Sequence, residues 1–306
     1  MNDVRKAFTD TLLGIAKENA DIVALATDSR GSATLAEFAE QLPEQFIECG
    51  IAEQDAVGIA AGVALAGKRP FVCGPACFYS LRSAEQVKID VAYSKQNVKI
   101  VGVSGGISYG ALGTTHHATQ DIALMRAISG IEIYLPSDAR QMRQMTKYLA
   151  SSNTPAYIRM GRGSVPDVYE DDACFVPGKA NILLNGKKAA IIACGEMVAP
   201  ALAAAKAIGD VMVLDMHTIK PIDEEAVLLA AETGLVVTVE EHSIFGGLGS
   251  AVAEVLSQKK PTKMKILGLP DEPVYHGSSA EIKAHYGLDK NGIAHCLKSM
   301  IGNPGE

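Results

Sequence analysis

Two α/β domains, each a mainly parallel sheet flanked by helices, are what this sequence predicts, and three observations carry the prediction. Short apolar, β-branched runs recur along the chain: DIVALAT, RPFVCG, NVKIVGVS, IEIYLP and PAYIRM, then KAAIIACG, DVMVLDM, GLVVTVEE and MKILGLP. Their apolarity is continuous rather than alternating, which marks strands covered on both faces. Helical patterns separate them, as parallel crossovers require. A polar stretch, GRGSVPDVYEDDACFVPG, with two prolines, four acids and no periodicity, divides the series. It predicts a first domain over residues 1–165, a linker over 166–180 and a second domain over 181–306.

Taken in order, MNDVRKAFTDTLLGIAKE reads as an amphipathic helix with acids and bases interleaved, not as an export signal. DIVALAT is the first strand. FIEC is strand-like and leads through Gly50 into GIAEQDAVGIAAGVALAG, where Glu53 opens a helix of almost wholly small, apolar residues. Such a helix can pack very closely against another backbone. A carboxylate in its first turn complements the helix dipole. Carried into a dry interface, the same acid could instead share a proton with a ligand nitrogen. Spacing alone permits both.

The chain has 306 residues, 48% hydrophobic and 21% charged, with a formal net charge of -7 and no run of Lys or Arg. That balance argues against a nucleic-acid or anionic-membrane partner, since both need a basic surface. The apolar run from Ala56 to Gly67 is too short to span a bilayer, so a soluble protein with small-molecule or protein partners is expected. Six cysteines, at 49, 73, 77, 174, 194 and 296, are scattered and mostly lie in apolar runs, which fits free thiols in a reducing cytoplasm.

The stretches ECGIAEQDAVGIAAGVALAG, GTTHHATQDIALMRAISGIEIYLPSD and YIRMGRG, in this order and spacing, resemble the pyrimidine-binding domain of transketolases. VVTVEEHSIFGGLGSAVAEVL resembles their C-terminal domain. The resemblance covers nearly the whole chain and is closest to the C-terminal subunit of a split bacterial transketolase. It implies a thiamine diphosphate enzyme that moves a two-carbon ketol unit between sugar phosphates. It implies that Glu53 hydrogen-bonds N1′ of the aminopyrimidine and promotes the imino tautomer, whose exocyclic nitrogen takes the C2 proton. Phe78 matches the aromatic that stacks on that ring, with Ile51 and Arg82 beside it on the cofactor side. His116 matches a histidine near the sugar hydroxyls. Arg5, Ser32 and Arg162 match positions that clamp a sugar phosphate, Asp28 matches an acid near Arg5, and Arg159 lies close enough to Arg162 to compete for that role.

The family holds Mg²⁺ and the diphosphate through a Gly-Asp-Gly motif with a downstream asparagine, and this chain has none. An N-terminal, diphosphate-binding partner subunit is therefore implied, in an α2β2 assembly. Where most transketolases carry Gly-Glu-Asp-Gly, this sequence reads GALG, with Ala111 and Leu112, and Ser104 stands where the family commonly has histidine. An acid that would bond a sugar hydroxyl is missing, which implies a branched, deoxy or otherwise modified substrate. Two other readings stand beside this one: the β subunit of a 2-oxo acid dehydrogenase, and a non-catalytic regulatory subunit of the same fold. GTTHHATQDIALMRA argues against the first. Retention of Phe78 and of Glu53, expected as a buried unpaired acid, argues against the second.

Several motifs carry less weight. CGPAC is one residue too long for a redox Cys-x-x-Cys, GGLGSAV lacks the third glycine of a dinucleotide loop, and Glu240, Glu241 and His242 alternate faces on a strand, which suits a scaffold better than a metal cluster.

Overall fold

The computed structural model describes residues 2–170 and 175–302; Cys174 lies outside them. Its strands are β1 (Asn2–Asp3), β2 (Ile22–Ala26), β3 (Phe46–Glu48), β4 (Arg69–Pro75), β5 (Lys99–Val103), β6 (Glu132–Tyr134), β7 (Ala156–Arg159) and β8 (Ser164–Val165) in the first half. The second half has β9 (Asn181–Leu184), β10 (Ala189–Ala193), β11 (Val211–Asp215), β12 (Thr218–Lys220), β13 (Leu235–Ser243) and β14 (Lys263–Leu269). Every apolar run named above forms a strand. The first sheet has the order β12-β6-β7-β5-β4-β2-β3 and the second β14-β13-β10-β11-β9. Pairing is parallel within both except at one edge of each, where β12 on β6 and β9 on β11 run antiparallel. Strands β2, β5, β10 and β11 are buried at every position, which is why their sequences lack alternation.

The first helix starts at Val4, not at the chain's beginning. Asp3 caps it by accepting from the Arg5 N–H at 2.9 Å, and Asn2–Asp3 pairs with β8 as a two-residue ribbon. Helix Glu53–Leu65 buries Glu53, Ala56, Val57, Ala60 and Ala61, the i, i+3, i+4, i+7, i+8 stripe of a half-buried helix, and packs on β4 and on the helical segment Val87–Tyr93.

The halves are interlocked. Strand β12 follows the second half's β11 in sequence yet completes the first half's sheet, with Thr218 opposite Tyr134 and Lys220 opposite Ile133. The Lys220 ammonium adds hydrogen bonds to the carbonyls of Arg126 and Ile128. One hydrophobic cluster runs from Val23, Val72 and Tyr157 through to Ile192, Leu214 and Val252. Beside it lies a buried polar chain. Asp121 accepts from the Tyr157 hydroxyl at 2.7 Å and pairs with Arg159 Nε at 3.0 Å. Arg159 donates to the Glu241 carbonyl at 2.6 Å, and Glu241 Oε1 accepts from the Ile107 N–H at 2.7 Å. Lys283 then bridges Glu241 and Glu196, 3.0 Å from each. The expectation of a scaffold for the Glu-Glu-His run is what the geometry delivers: Glu240 accepts from the N–H groups of Leu248 and Gly249 at the start of helix Leu248–Lys259, and its burial pushes the carboxyl up to about 7.

Candidate active site

The loops that follow parallel strands β2, β3, β4, β5 and β7 leave the sheet at its carboxyl ends, where open α/β sheets present ligand groups. They carry, in turn, Asp28 and Ser32, Glu53, Phe78 and Arg82, Ser104 to His116, and Arg162. The structure joins most of these into one string of contacts. Glu53, 4% exposed, has Oε2 at 3.1 Å from Arg82 Nη1. The Arg82 guanidinium lies 4.0 Å above the centroid of the Phe78 ring. Phe78 meets His116 edge to face at 5.3 Å, and His116 meets Tyr109 in the same manner at 5.5 Å. The Tyr109 hydroxyl donates to Ser32 Oγ at 3.1 Å, and the Arg162 guanidinium sits 4.8 Å from the Tyr109 centroid. Arg5 closes the string by donating to the Ser32 carbonyl at 3.2 Å.

Around Glu53 and Arg82 a depression of about 520 Å³ is lined also by Ile51, Gln54 and Asp55, with Ile51 75% exposed. The depression sets an exposed aliphatic side chain beside a buried carboxylate, while Phe78 lies outside its lining with one ring face covered by Arg82. His116 is half-buried, with Nδ1 hydrogen-bonded to the Thr115 hydroxyl at 2.9 Å.

Four expectations change. Glu53 is buried but paired with Arg82, so it is not an orphan acid; the guanidinium reaches it across 29 residues of sequence. The acid on Arg5 is Asp3, at 2.7 Å and 3.2 Å, and among the described residues no hydrogen bond or ion pair joins Arg5 to Asp28. Burial would raise the Asp3 carboxyl, but the hydrogen bonds and charge of Arg5 hold it below its ordinary value. Asp28 is exposed, and its N–H donates to Glu48 at 2.7 Å. Ser104 is fully buried in the left-handed region at φ +57, with its Oγ unpartnered among the described residues, and the structure does not bring it into the string. Of the two arginines, Arg159 is buried in the chain that welds the halves, whereas Arg162 is exposed.

The GALG loop is seated by the second half of the chain. Gly110 O accepts from the Gly277 N–H at 3.4 Å. Gly113 has φ +72, and a Cβ there would fall 2.2 Å from His276 Nε2, so only glycine fits. Leu112 is 53% exposed. His117 is buried, which lowers its pKa, and its Nε2 lies 3.4 Å from the Gly110 carbonyl oxygen. Tyr109 and His276 escaped the sequence reading. A tyrosine in a glycine-rich loop looks like a turn filler, and nothing local signals that its hydroxyl finds a serine 77 residues away. Cys73 and Cys77 of the CGPAC stretch are free, with burial pushing the Cys77 thiol up to about 11.

The fold and the string of contacts define a two-part α/β protein whose candidate site lies at the carboxyl edge of its first sheet. Among the described residues no group of three or more His, Cys, Asp or Glu side chains is placed to hold a metal, and none of the helices there is long and apolar enough to cross a membrane. Residues 1–167 match the model of the transketolase pyrimidine-binding domain and residues 178–293 that of the transketolase C-terminal domain; the chain belongs to the transketolase family. It is 59% identical over 295 residues to one of the subunits of the apulose-4-phosphate transketolase of Phocaeicola vulgatus, covering 94% of each chain. It is 38% identical to the 6-deoxy-6-sulfo-D-fructose transketolase subunit SqwH of a Clostridium species, covering 93% of this chain and 90% of that one. Among solved structures, a split-gene transketolase described as an inactive beta4 tetramer superposes with a TM-score of 0.89 at 38% identity, covering 99% of both chains. Over nearly its whole length the chain is thus similar to a transketolase subunit and to the chain of a split-gene transketolase.

Proposed function

We propose that this subunit, joined to an N-terminal diphosphate-binding subunit in an α2β2 enzyme, transfers a two-carbon ketol unit from a modified ketose phosphate to an aldose phosphate. Apulose 4-phosphate is the specific candidate. The unbroken string from Glu53 to Arg162 along the carboxyl edge of one sheet is the observation that carries the reading. The residues fit the pyrimidine half of thiamine diphosphate: a buried carboxylate for N1′, the Phe78 ring for stacking where the exposed Arg82 side chain now covers it, and Ile51 at the rim. They do not fit its diphosphate, so Mg²⁺ and the phosphates fall to the partner. When bound, the cofactor supplies the electron sink that C–C cleavage next to a carbonyl needs.

Within the chain, Glu53 holds the proton exchanged at N1′, and Arg82 keeps its carboxylate in place. His116 exchanges protons with a substrate hydroxyl, its Nδ1 fixed by Thr115. Arg162 binds the anionic end. The 1–165 and 181–306 domains, joined through 166–180, then divide the work, the first carrying the site and the second seating the GALG loop. Five free thiols among the described cysteines support a reducing cytoplasmic setting. The choice of substrate rests on Leu112 standing exposed where an acid would bond a sugar hydroxyl, and on the substrate named for the 59% identical relative.

Hydrogen–deuterium exchange at C2 of thiamine diphosphate tests the reading. The two-subunit complex should exchange rapidly and this chain alone should not, while Glu53→Gln in the complex slows exchange by ~10²-fold or more, the scale of lost acid–base catalysis. Unchanged exchange in Glu53→Gln returns Glu53 to a helix-terminus charge and favours a regulatory subunit.

A further inference from the structure

The approach to Glu53 is held by little packing. Glu53 is the first residue of helix Glu53–Leu65, and Ala52 before it supplies no side-chain cap. None of Gly50, Ile51 and Ala52, which lead into the helix, is buried, and Ile51 is 75% exposed. They follow β3, a three-residue strand at the edge of the first sheet with no neighbour beyond it. The turn itself is tight: the Ala52 N–H donates to the Gly50 carbonyl at 2.8 Å, and Gly50 stands in the left-handed region at φ +68.

Among the described residues, the side chain hydrogen-bonded to this turn is Glu48, the last residue of β3. Its Oε1 accepts from the Gly50 N–H at 3.2 Å and from the Asp28 N–H at 2.7 Å. Asp28 is also left-handed, at φ +52, and lies in the loop after β2. One carboxylate oxygen thus ties the turn before Glu53 to the loop of the neighbouring strand, through two charge-assisted hydrogen bonds.

We infer that Glu48 is a positioning residue for the reaction: its Oε1, anchored on the Asp28 N–H, holds Gly50 and so sets where Glu53 presents its carboxylate. The effect is exercised through Glu53. The inference rests on the assignment of Glu53 to N1′ above and adds the group that aims it. Reach matters more than charge here, since a side chain one methylene shorter falls short of spanning both N–H groups from the same strand position.

Exchange at C2 of bound thiamine diphosphate in the two-subunit enzyme reads the aim of Glu53 without any sugar, and a calorimetric titration counts the cofactor bound by each preparation. Per bound cofactor, Glu48→Ala should slow exchange by ~10-fold, inside the ~10²-fold cost of a misplacement of about 1 Å. Glu48→Gln keeps an acceptor of equal reach and should restore exchange to near the wild-type rate. Glu48→Asp keeps the charge but not the reach and should be as slow as Glu48→Ala. Added to Glu53→Gln, Glu48→Ala should slow exchange by less than ~2-fold more, as expected of residues that act as a unit. Glu48 is exposed, so the melting temperature should move little; a merely structural role would lower it and leave exchange per bound cofactor unchanged. Exchange in Glu48→Ala within ~2-fold of wild type, equal rates for Glu48→Gln and Glu48→Asp, or a full further ~10-fold loss on top of Glu53→Gln overturns the assignment. If Glu48→Ala chains fail to assemble, the comparison of Glu48→Gln with Glu48→Asp decides. Absence of C2 exchange in wild type, or a wild-type rate in Glu53→Gln alone, would instead mark a failure of the transketolase reading or of the role given to Glu53.

Discussion

Replacing Lys283 by methionine should destabilise the whole chain, because its ammonium is shared by two carboxylates at the contact between the halves. Lys283, on helix Ser279–His285, stands 3.0 Å from Glu196 and 3.0 Å from Glu241. Glu241 also receives the Ile107 N–H of the first half, and Glu196 is pressed so closely on Gly161 that a Cβ there would lie 1.5 Å from its Oε1. Glu241 is 5% exposed and held by that N–H, so it has little access to water. Removing one partner of a buried pair costs ~3–5 kcal/mol. Lys283 and Glu196 keep 16% and 18% exposure, so solvent softens the loss toward ~3 kcal/mol. At ~2–4 °C per kcal/mol for a chain of this size, the melting temperature should fall by ~6–12 °C. Burial raises the Glu196 carboxyl and the Lys283 charge opposes that rise, so without the ammonium its protonation in the folded state offsets more of the loss as pH falls; the deficit is largest above neutrality. Denaturant titration and calorimetry at about pH 5 and pH 8 read both effects, and Lys283→Met combined with Glu196→Gln should recover part of the loss. A deficit below ~1 kcal/mol at pH 8, or one unchanged between the two conditions, refutes the reasoning.

Two further outcomes follow from buried or missing acids. Asp215, at the end of β11, accepts from Tyr169, Gln141 and Ser137 on one oxygen, yet burial pushes its carboxyl up to about 6, above the ordinary 3.8. The folded state therefore binds this proton more tightly than the unfolded one, and stability present below pH 3.8 is lost as pH rises through about 6. The stability of Asp215→Asn relative to wild type should thus rise by ~2 kcal/mol between about pH 4 and pH 7, read from paired urea curves; a flat difference refutes it. In the assembled enzyme, Leu112→Asp should raise kcat/KM for xylulose 5-phosphate with ribose 5-phosphate by ~10-fold. A native enzyme already working on that pair at ~10⁴ M⁻¹s⁻¹ and indifferent to the added acid would make GALG a neutral replacement.

What the sequence displays and what it hides divide along physical lines. The buried strands announced themselves because a strand covered on both faces must be apolar throughout, whatever its neighbours. Strands β1, β8, β9 and β12 did not, since they are two to four residues long and lie in a ribbon or at sheet edges, where the partner rather than composition decides the pairing. At the site, the types of side chain and their loops were legible from motifs. Their pairings were not: Arg82 on Glu53, Asp3 on Arg5 and Tyr109 on Ser32 are products of how loops from different strands converge. Arg159 and Arg162, three residues apart, separate only when the fold sends one inward to Asp121 and leaves the other outside.

Strand β12 also dictates an order of events during synthesis. When β7 has left the ribosome, the first sheet can assemble six of its seven strands, but β6 remains an open edge until residues 218–220 emerge. At the pace of translation that interval is on the order of several seconds, during which a row of unpaired amides and carbonyls is available to any neighbouring nascent chain. The closing strand arrives after β9, β10 and β11 but before β13 and β14, so the first half's last edge can close while the second half's core is still incomplete. A ribosome stalled before Thr218 would hold an adhesive intermediate, and slow codons placed ahead of that point would be a hazard for the cell.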